Sequence, residues 1–189
     1  MKKALDGIDA ALRHGIPSVK INCVPIAGRN ESELVRIARL ARDRRLCVRF
    51  IEMMPLGRGA SFQPVGREVL RDALQNAFGT LEPIADVLGN GPARYYSLPG
   101  FLGAVGFIAT LDHAICGACN RVRLTADGML KTCLHMDGGF SLKPALASGD
   151  AVLLSNAIAD AIRRKPPHHE FARSGGVFCE RRHMSEIGG

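Results

Sequence analysis

The chain has 189 residues, 47% of them hydrophobic and 23% charged, which is enough length and apolar content for a folded core and excludes disorder as the main state. An excess of 25 Lys+Arg over 18 Asp+Glu gives a net charge of +7, favouring a polyanionic ligand, while 5% aromatic residues and no Trp argue against a stacking platform for nucleic acid. Asp6 and Asp9 interrupt any secretory core, and Pro99, Gly100, Gly103 and Gly106 break the longest uncharged stretch, so the expectations are no membrane span and a cytoplasmic protein.

Ile8, Ala11 and Leu12 fall at helical spacing over residues 6–14, and Gly15 stops that helix. Residues 19–24 read as a strand. Asn30-Glu31-Ser32-Glu33 is read as the cap of a second helix running to about residue 45, with Leu34, Ile37, Ala38 and Ala41 inward. Residues 48–52 form the next strand. This alternation predicts βα units with parallel strands. A third helix spans 66–77, followed by extended pieces at 81–87, 94–98, 104–108 and 120–125. Asp127-Gly128 is a tight turn into a returning strand, 129–133. Residues 143–147 and 152–164 are helical, and Pro166-Pro167 ends the latter.

The expected fold class is α/β. Residues 1–60 are expected to be the last βα units of an incomplete barrel, and 61–167 a ligand-binding region. Residues 168–189 are expected to be a flexible tail ending in Gly188-Gly189. Two parallel βα units neither close a barrel nor cover both sheet edges, so a second chain supplying the missing strands, or membership of a larger protein, is expected. A homodimer is left open.

Cys116, Cys119 and Cys133 form a C-x2-C-x13-C array. In a reducing compartment such a trio reads as metal-binding or catalytic, and the hairpin brings its third member back toward the first two. Zinc would take a fourth ligand, with His113 and His135 near in sequence; a four-iron cluster on three cysteines would leave one iron open. The spacing leaves both open. Cys23, Cys47 and Cys179 read as packing residues.

Arg121 and Arg123 are two apart on an expected strand and so share a face, where their forked donors suit phosphate oxygens or a purine edge. Lys20 and Asn22 share a face of the first strand, and Arg49 sits on the next; polar residues on parallel strands that are usually apolar line a cavity.

Taken together, Lys20-Ile21-Asn22, Arg49-Phe50-Ile51-Glu52 with Met53-Met54-Pro55-Leu56-Gly57, the block from Cys116-Gly117-Ala118-Cys119-Asn120-Arg121-Val122-Arg123 to Asp127-Gly128, Cys133-Leu134 and the Gly188-Gly189 ending resemble the C-terminal part of the MoaA family. These are the radical S-adenosylmethionine GTP 3′,8-cyclases, lyases that open molybdenum cofactor (molybdopterin) synthesis by converting GTP to 3′,8-cyclo-7,8-dihydro-GTP. The resemblance implies a partial (βα)6 barrel with an α+β extension. It implies a second [4Fe-4S] cluster on Cys116, Cys119 and Cys133, in place of zinc, whose open iron meets the guanine of GTP. It further implies GTP contacts at Lys20, Asn22, Arg49, Arg121, Val122 and Arg123, an S-adenosylmethionine contact at Met54, and a tail, Gly188-Gly189, that reaches the active site.

The chain departs from that family in lacking the C-x3-C-x2-C motif of the first, S-adenosylmethionine-cleaving cluster. Alone it is therefore expected to hold substrate without making the radical, unless another chain supplies the missing half. The alternatives are a non-catalytic zinc- or cluster-stabilised module for nucleotide or RNA, and a decayed gene product.

Overall fold

A computed structural model describes residues 2–85, 89–169, 182, 186 and 187. The chain divides into two compact units, residues 1–53 with 62–110, and residues 54–61 with 111–189.

In the first unit α1 (Lys2–Arg13) leads into β1 (Val19–Cys23). Gly15, at φ 69°, ends the helix in a left-handed cap, and Ile16 N–H reaches back to the Ala11 carbonyl at 3.0 Å. A short α2 (Leu34–Ala38) precedes β2 (Leu46–Ile51), and α3 (Arg67–Phe78) precedes β3 (Glu82–Pro83), β4 (Arg94–Ser97) and β5 (Ala104–Ile108). The five strands lie in the order β1-β2-β5-β4-β3. β1, β2 and β5 are parallel, as the alternation predicts for the first two, while β4 pairs antiparallel with β5 and β3 antiparallel with β4. The sheet is therefore mixed.

The second helix does not run from 30 to 45 as its spacing suggests. Residues 31–33 and 39–41 are 3-10 turns around α2. Asn30 makes no side-chain cap there; its carboxamide accepts from Ile26 N–H at 2.8 Å and donates to the Val24 carbonyl at 2.9 Å, shaping the loop after β1. At the other end the Ala41 and Arg42 carbonyls, which a continuing helix would use, accept instead from Gly103 and Leu102 N–H at 2.9 and 2.8 Å. Tertiary partners outcompete the next helical turn. Arg44 then ties this corner to α1 by a 2.8 Å bond to Asp9, whose carboxyl its guanidinium holds below the usual range.

Strand alternation sorts the sheet into two faces. Leu46, Val48 and Phe50 of β2 are buried against Leu34, Ala38, Leu70, Leu74, Val105 and Phe107, with α1 and α2 supplying Ile8, Leu12, Val35 and Ile37. The intervening residues of β2, Cys47, Arg49 and Ile51, face the other way and are half-buried.

In the second unit α4 (His113–Gly117) precedes a three-stranded antiparallel sheet of β6 (Arg123–Leu124), β7 (Met129–Lys131) and β8 (Phe140–Ser141), followed by α5 (Lys143–Ser148) and α6 (Ala151–Arg163). Asp150 caps α6, accepting from Val152 and Leu153 N–H at 2.8 and 3.1 Å. Leu130, Leu142 and Ala161 form a small core with Phe140, Leu154, Ala157 and Ile158. No helix among the described residues is long and apolar enough to cross a membrane.

Candidate functional site

The polar face of the first unit is organised by strand register. Lys20 pairs with Cys47 and Asn22 with Arg49 across β1 and β2. Arg49 Nε donates to Asn22 Oδ1 at 2.8 Å, which fixes the guanidinium above the strand. On the third strand the position opposite Arg49 is Gly106. A Cβ there would stand 3.0 Å from the Tyr95 ring and 3.5 Å from Arg49 Cγ, so glycine leaves the room that both side chains occupy. The Lys20 ammonium packs on Gly89, where a Cβ would lie 2.6 Å away and φ is 104°. Burial pushes the Cys47 thiol up, opposed in part by Lys20, and burial alone raises Cys23. Both thiols stay protonated near neutrality, as packing residues do. Cys179 lies outside the described residues.

In the second unit the three other cysteines sit on a short helix and a hairpin. Cys116 occupies the last turn of α4, a helix that sequence periodicity is too short to reveal; Asp112 caps it, accepting from Ala114 N–H at 2.9 Å. Cys119 follows in the loop, its N–H donating to the Cys116 carbonyl at 3.1 Å. Cys133 lies two residues beyond β7. All three are half-buried free thiols.

The expected Asp127-Gly128 hairpin is present. Gly128, at φ 77°, donates to the Thr125 carbonyl at 3.0 Å, and Thr125 N–H meets the Met129 carbonyl at 3.0 Å. Thr125 Oγ1 donates to the Asp127 carboxylate and accepts from Met129 N–H at 3.0 Å. Arg123 pairs with Lys131 and Leu124 with Leu130, and the ladder ends there, with Cys133 two residues beyond it.

The Thr125 hydroxyl, aided by Lys143, holds the Asp127 carboxyl below the usual carboxylate range. A carboxylate whose folded pKa lies below its unfolded one adds stability wherever both states are ionised, above the unfolded pKa of about 3.9. That contribution disappears as pH falls through the depressed value. Urea midpoints of wild type and Asp127→Asn should therefore keep a constant difference from about pH 7 to 5 and converge below about pH 4. A difference that grows on acidification would contradict this account of the turn.

Arg121 is not on a strand with Arg123, contrary to the expected common strand face. β6 begins at Arg123, and the Arg121 carbonyl is taken by Lys165 Nζ at 2.8 Å. The same ammonium donates to the Cys119 carbonyl at 2.7 Å and approaches Cys119 Sγ at 3.3 Å. Val122 between the arginines is 45% exposed. A second lysine, Lys131, is 1% exposed and donates to the Met136 and Gly138 carbonyls at 2.7 Å each, shaping the loop that carries Cys133 and the buried His135. Neither lysine is signalled by a motif. Met54 is half-buried in the 54–61 segment, its carbonyl accepting from Leu56 N–H at 2.8 Å. Gly188 and Gly189 lie outside the described residues, as does the His113 side chain.

Three free thiols on one helix end and one hairpin are a soft donor set suited to iron–sulfur or zinc chemistry. Among the described residues no three His, Cys, Asp or Glu side chains meet in a metal-holding arrangement. The buried Thr132 Oγ1, next to Cys133, has no hydrogen-bond partner there, the state expected of a polar group beside a ligand site. The donors fit such a group by chemistry.

Residues 46–171 match the family model described as Molybdenum Cofactor Synthesis C. Across 98% of its length the chain is 41% identical to a GTP 3′,8-cyclase of Pelotomaculum thermopropionicum, of which it covers 58%. It is 39% identical over its full length to the GTP 3′,8-cyclase of Geobacter sulfurreducens, again 58% of that protein. Over 94% of the chain it is 41% identical to the GTP 3′,8-cyclase of Pseudomonas putida, of which it covers 54%. The chain thus spans a little over half the length of these curated relatives.

Proposed function

The chain belongs to the Molybdenum Cofactor Synthesis C family and corresponds to the C-terminal part of GTP 3′,8-cyclases, and on that premise we propose that it is the substrate-holding part of such an enzyme. The observation that carries this reading is the conjunction, in the second unit, of three free thiols with Arg123 at the start of β6 and Arg121 in the loop that leads from Cys119 into it.

On this reading Cys116, Cys119 and Cys133 hold a [4Fe-4S] cluster. When bound, the cluster supplies an open iron acting as a Lewis acid toward the guanine base. Arg121 and Arg123 neutralise and orient the nucleotide through forked donors. On the first unit Lys20 and Arg49 offer cationic donors, and Asn22 keeps the Arg49 guanidinium in place through its 2.8 Å bond. Val122 contributes backbone and apolar contact, Met54 packs against S-adenosylmethionine, and Gly188-Gly189 reaches the nucleotide. The residues 1–60, 61–167 and 168–189 then serve as last barrel units, cluster- and GTP-binding region, and tail. The hydrogen-abstracting radical requires a C-x3-C-x2-C segment, which these 189 residues do not contain, so radical generation is assigned to a segment or chain outside them.

Adding GTP to the reconstituted, chemically reduced protein should change the cluster's electron paramagnetic resonance spectrum in a saturable way. Arg123→Ala should raise the GTP concentration at half-saturation by about 10- to 100-fold, the loss of one charge-assisted bond pair worth ~1.5–3 kcal/mol. A spectrum indifferent to GTP in folded, cluster-loaded protein would overturn the substrate-holding role.

A further inference from the structure

Lys165 makes three contacts that the nucleotide and the cysteines alone do not require. α6 ends at Arg163, with Lys165 N–H still bonded to the Ile162 carbonyl at 3.0 Å, and Pro166 prevents another turn. The side chain therefore leaves from a backbone fixed at both ends. Its ammonium has three donor positions, and three acceptors meet it: the Cys119 carbonyl at 2.7 Å, the Arg121 carbonyl at 2.8 Å and Cys119 Sγ at 3.3 Å.

Two carbonyls drawn to one cation fix the backbone on either side of Asn120, and with it the direction in which the Arg121 side chain departs. The Arg121 carbonyl is held by Lys165, and β6 begins two residues later, at Arg123. The third contact places a positive charge and an N–H donor on the Cys119 thiol; among the described residues Cys116 and Cys133 have no such partner.

We propose that Lys165 is a positioning residue of the cysteine site: it sets the course of the Cys119–Arg121 segment and, through the Cys119 sulfur, makes that ligand electronically distinct from the other two. This rests on the cluster reading given above. A hydrogen bond and a positive charge at a cluster thiolate favour the reduced, more negative state, so they raise the reduction potential. A lysine suits the role better than an arginine because its compact tetrahedral donors reach two carbonyls and a sulfur at once, whereas a planar fork favours two parallel acceptors.

The test compares the 189-residue wild type with Lys165→Met and Lys165→Arg in two arms. Without metal, amide hydrogen exchange of peptides covering residues 116–123 should be about tenfold faster in Lys165→Met, with peptides from β1, β2 and β5 unchanged. After anaerobic reconstitution with iron and sulfide, a dithionite titration followed by electron paramagnetic resonance should show a one-electron midpoint lower in Lys165→Met by about 59 mV, a tenfold shift of the equilibrium. Lys165→Arg, which keeps the charge, should recover part of that shift. Cluster-loaded protein whose potential is the same in all three forms overturns the inference and leaves the cluster reading intact, and faster exchange alone then marks a merely structural contact. A wild type that takes up no iron overturns the cluster reading and the tuning with it; exchange at 116–123 then decides the positioning half alone, and equal rates end it. Should Lys165→Met not fold, Lys165→Gln, which removes the charge and keeps two donors, is read in both arms with the same signs.

Discussion

Replacing Cys119 by serine should abolish iron uptake: reconstituted under anaerobic conditions, the wild-type chain should carry about four irons and Cys119→Ser fewer than one. The expectation rests on position as well as on chemistry. Cys119 is the joint between α4 and the hairpin, bonded through its N–H to the Cys116 carbonyl and through its carbonyl and sulfur to Lys165. Serine preserves the shape and both backbone bonds but replaces a soft thiolate by a hydroxyl, a poor ligand for iron at neutral pH. The fold should therefore survive, with a stability change of about 1 kcal/mol or less. Cys47→Ser is the matched control, since its thiol lies on the first unit's sheet, raised by burial and paired in register with Lys20. Iron at about four per chain in Cys119→Ser, or an equal loss in Cys47→Ser, would remove the three-cysteine assignment.

Gly103→Ala should be the most damaging small substitution in the first unit, lowering stability by at least ~3 kcal/mol. Gly103 precedes β5 and donates to the Ala41 carbonyl at 2.9 Å. A Cβ there would stand 2.0 Å from the Leu46 carbonyl oxygen, 2.7 Å from that of Arg44 and 3.0 Å from Leu46 N. All three are backbone atoms, which have no rotamer to yield. The methyl can be accommodated only by parting β5 from β2, and that separates Val48 from Val105 and Phe50 from Phe107 in the core. Gly7→Ala, in α1 with nothing within 4 Å, should instead be neutral or stabilising by up to ~1 kcal/mol. Urea unfolding followed by circular dichroism distinguishes the two; a Gly103→Ala midpoint equal to wild type would contradict the β2–β5 pairing.

Local chemistry made much of this legible in advance. The alternation of 3.6- and 2-residue periods through residue 52 announces parallel βα units, because each period states which face is buried. Asp127-Gly128 announces the hairpin, because only glycine takes φ 77° at that point without strain. What stayed hidden depends on partners far along the chain. The second helix is cut short because Gly103 and Leu102 capture the carbonyls of Ala41 and Arg42, and no property of residues 30–45 foretells that. α4 is too short to show a period and is held by one aspartate cap. Arg121 stands outside the strand, its carbonyl met by Lys165, 44 positions away.

By itself the sequence determined the chemistry available to this protein: three thiols in a fixed spacing, two guanidinium groups beside the second, and the polar positions 20, 22 and 49 on strands otherwise apolar on their other face. Those are properties of residue types and of short-range spacing, which the chain carries whatever its fold. Only the tertiary structure decided which backbone groups remain for ladders and which are claimed by side chains. Asn22 settles where the Arg49 guanidinium stands, Lys131 bends the loop of Cys133, and Lys165 sets the run from Cys119 to Arg121. In each a cationic side chain finds its acceptors through the fold, Arg49 at Asn22 and Lys165 at Cys119 and Arg121 from far along the chain and Lys131 within its own loop, because a buried or half-buried donor must be satisfied by whatever folding brings to it.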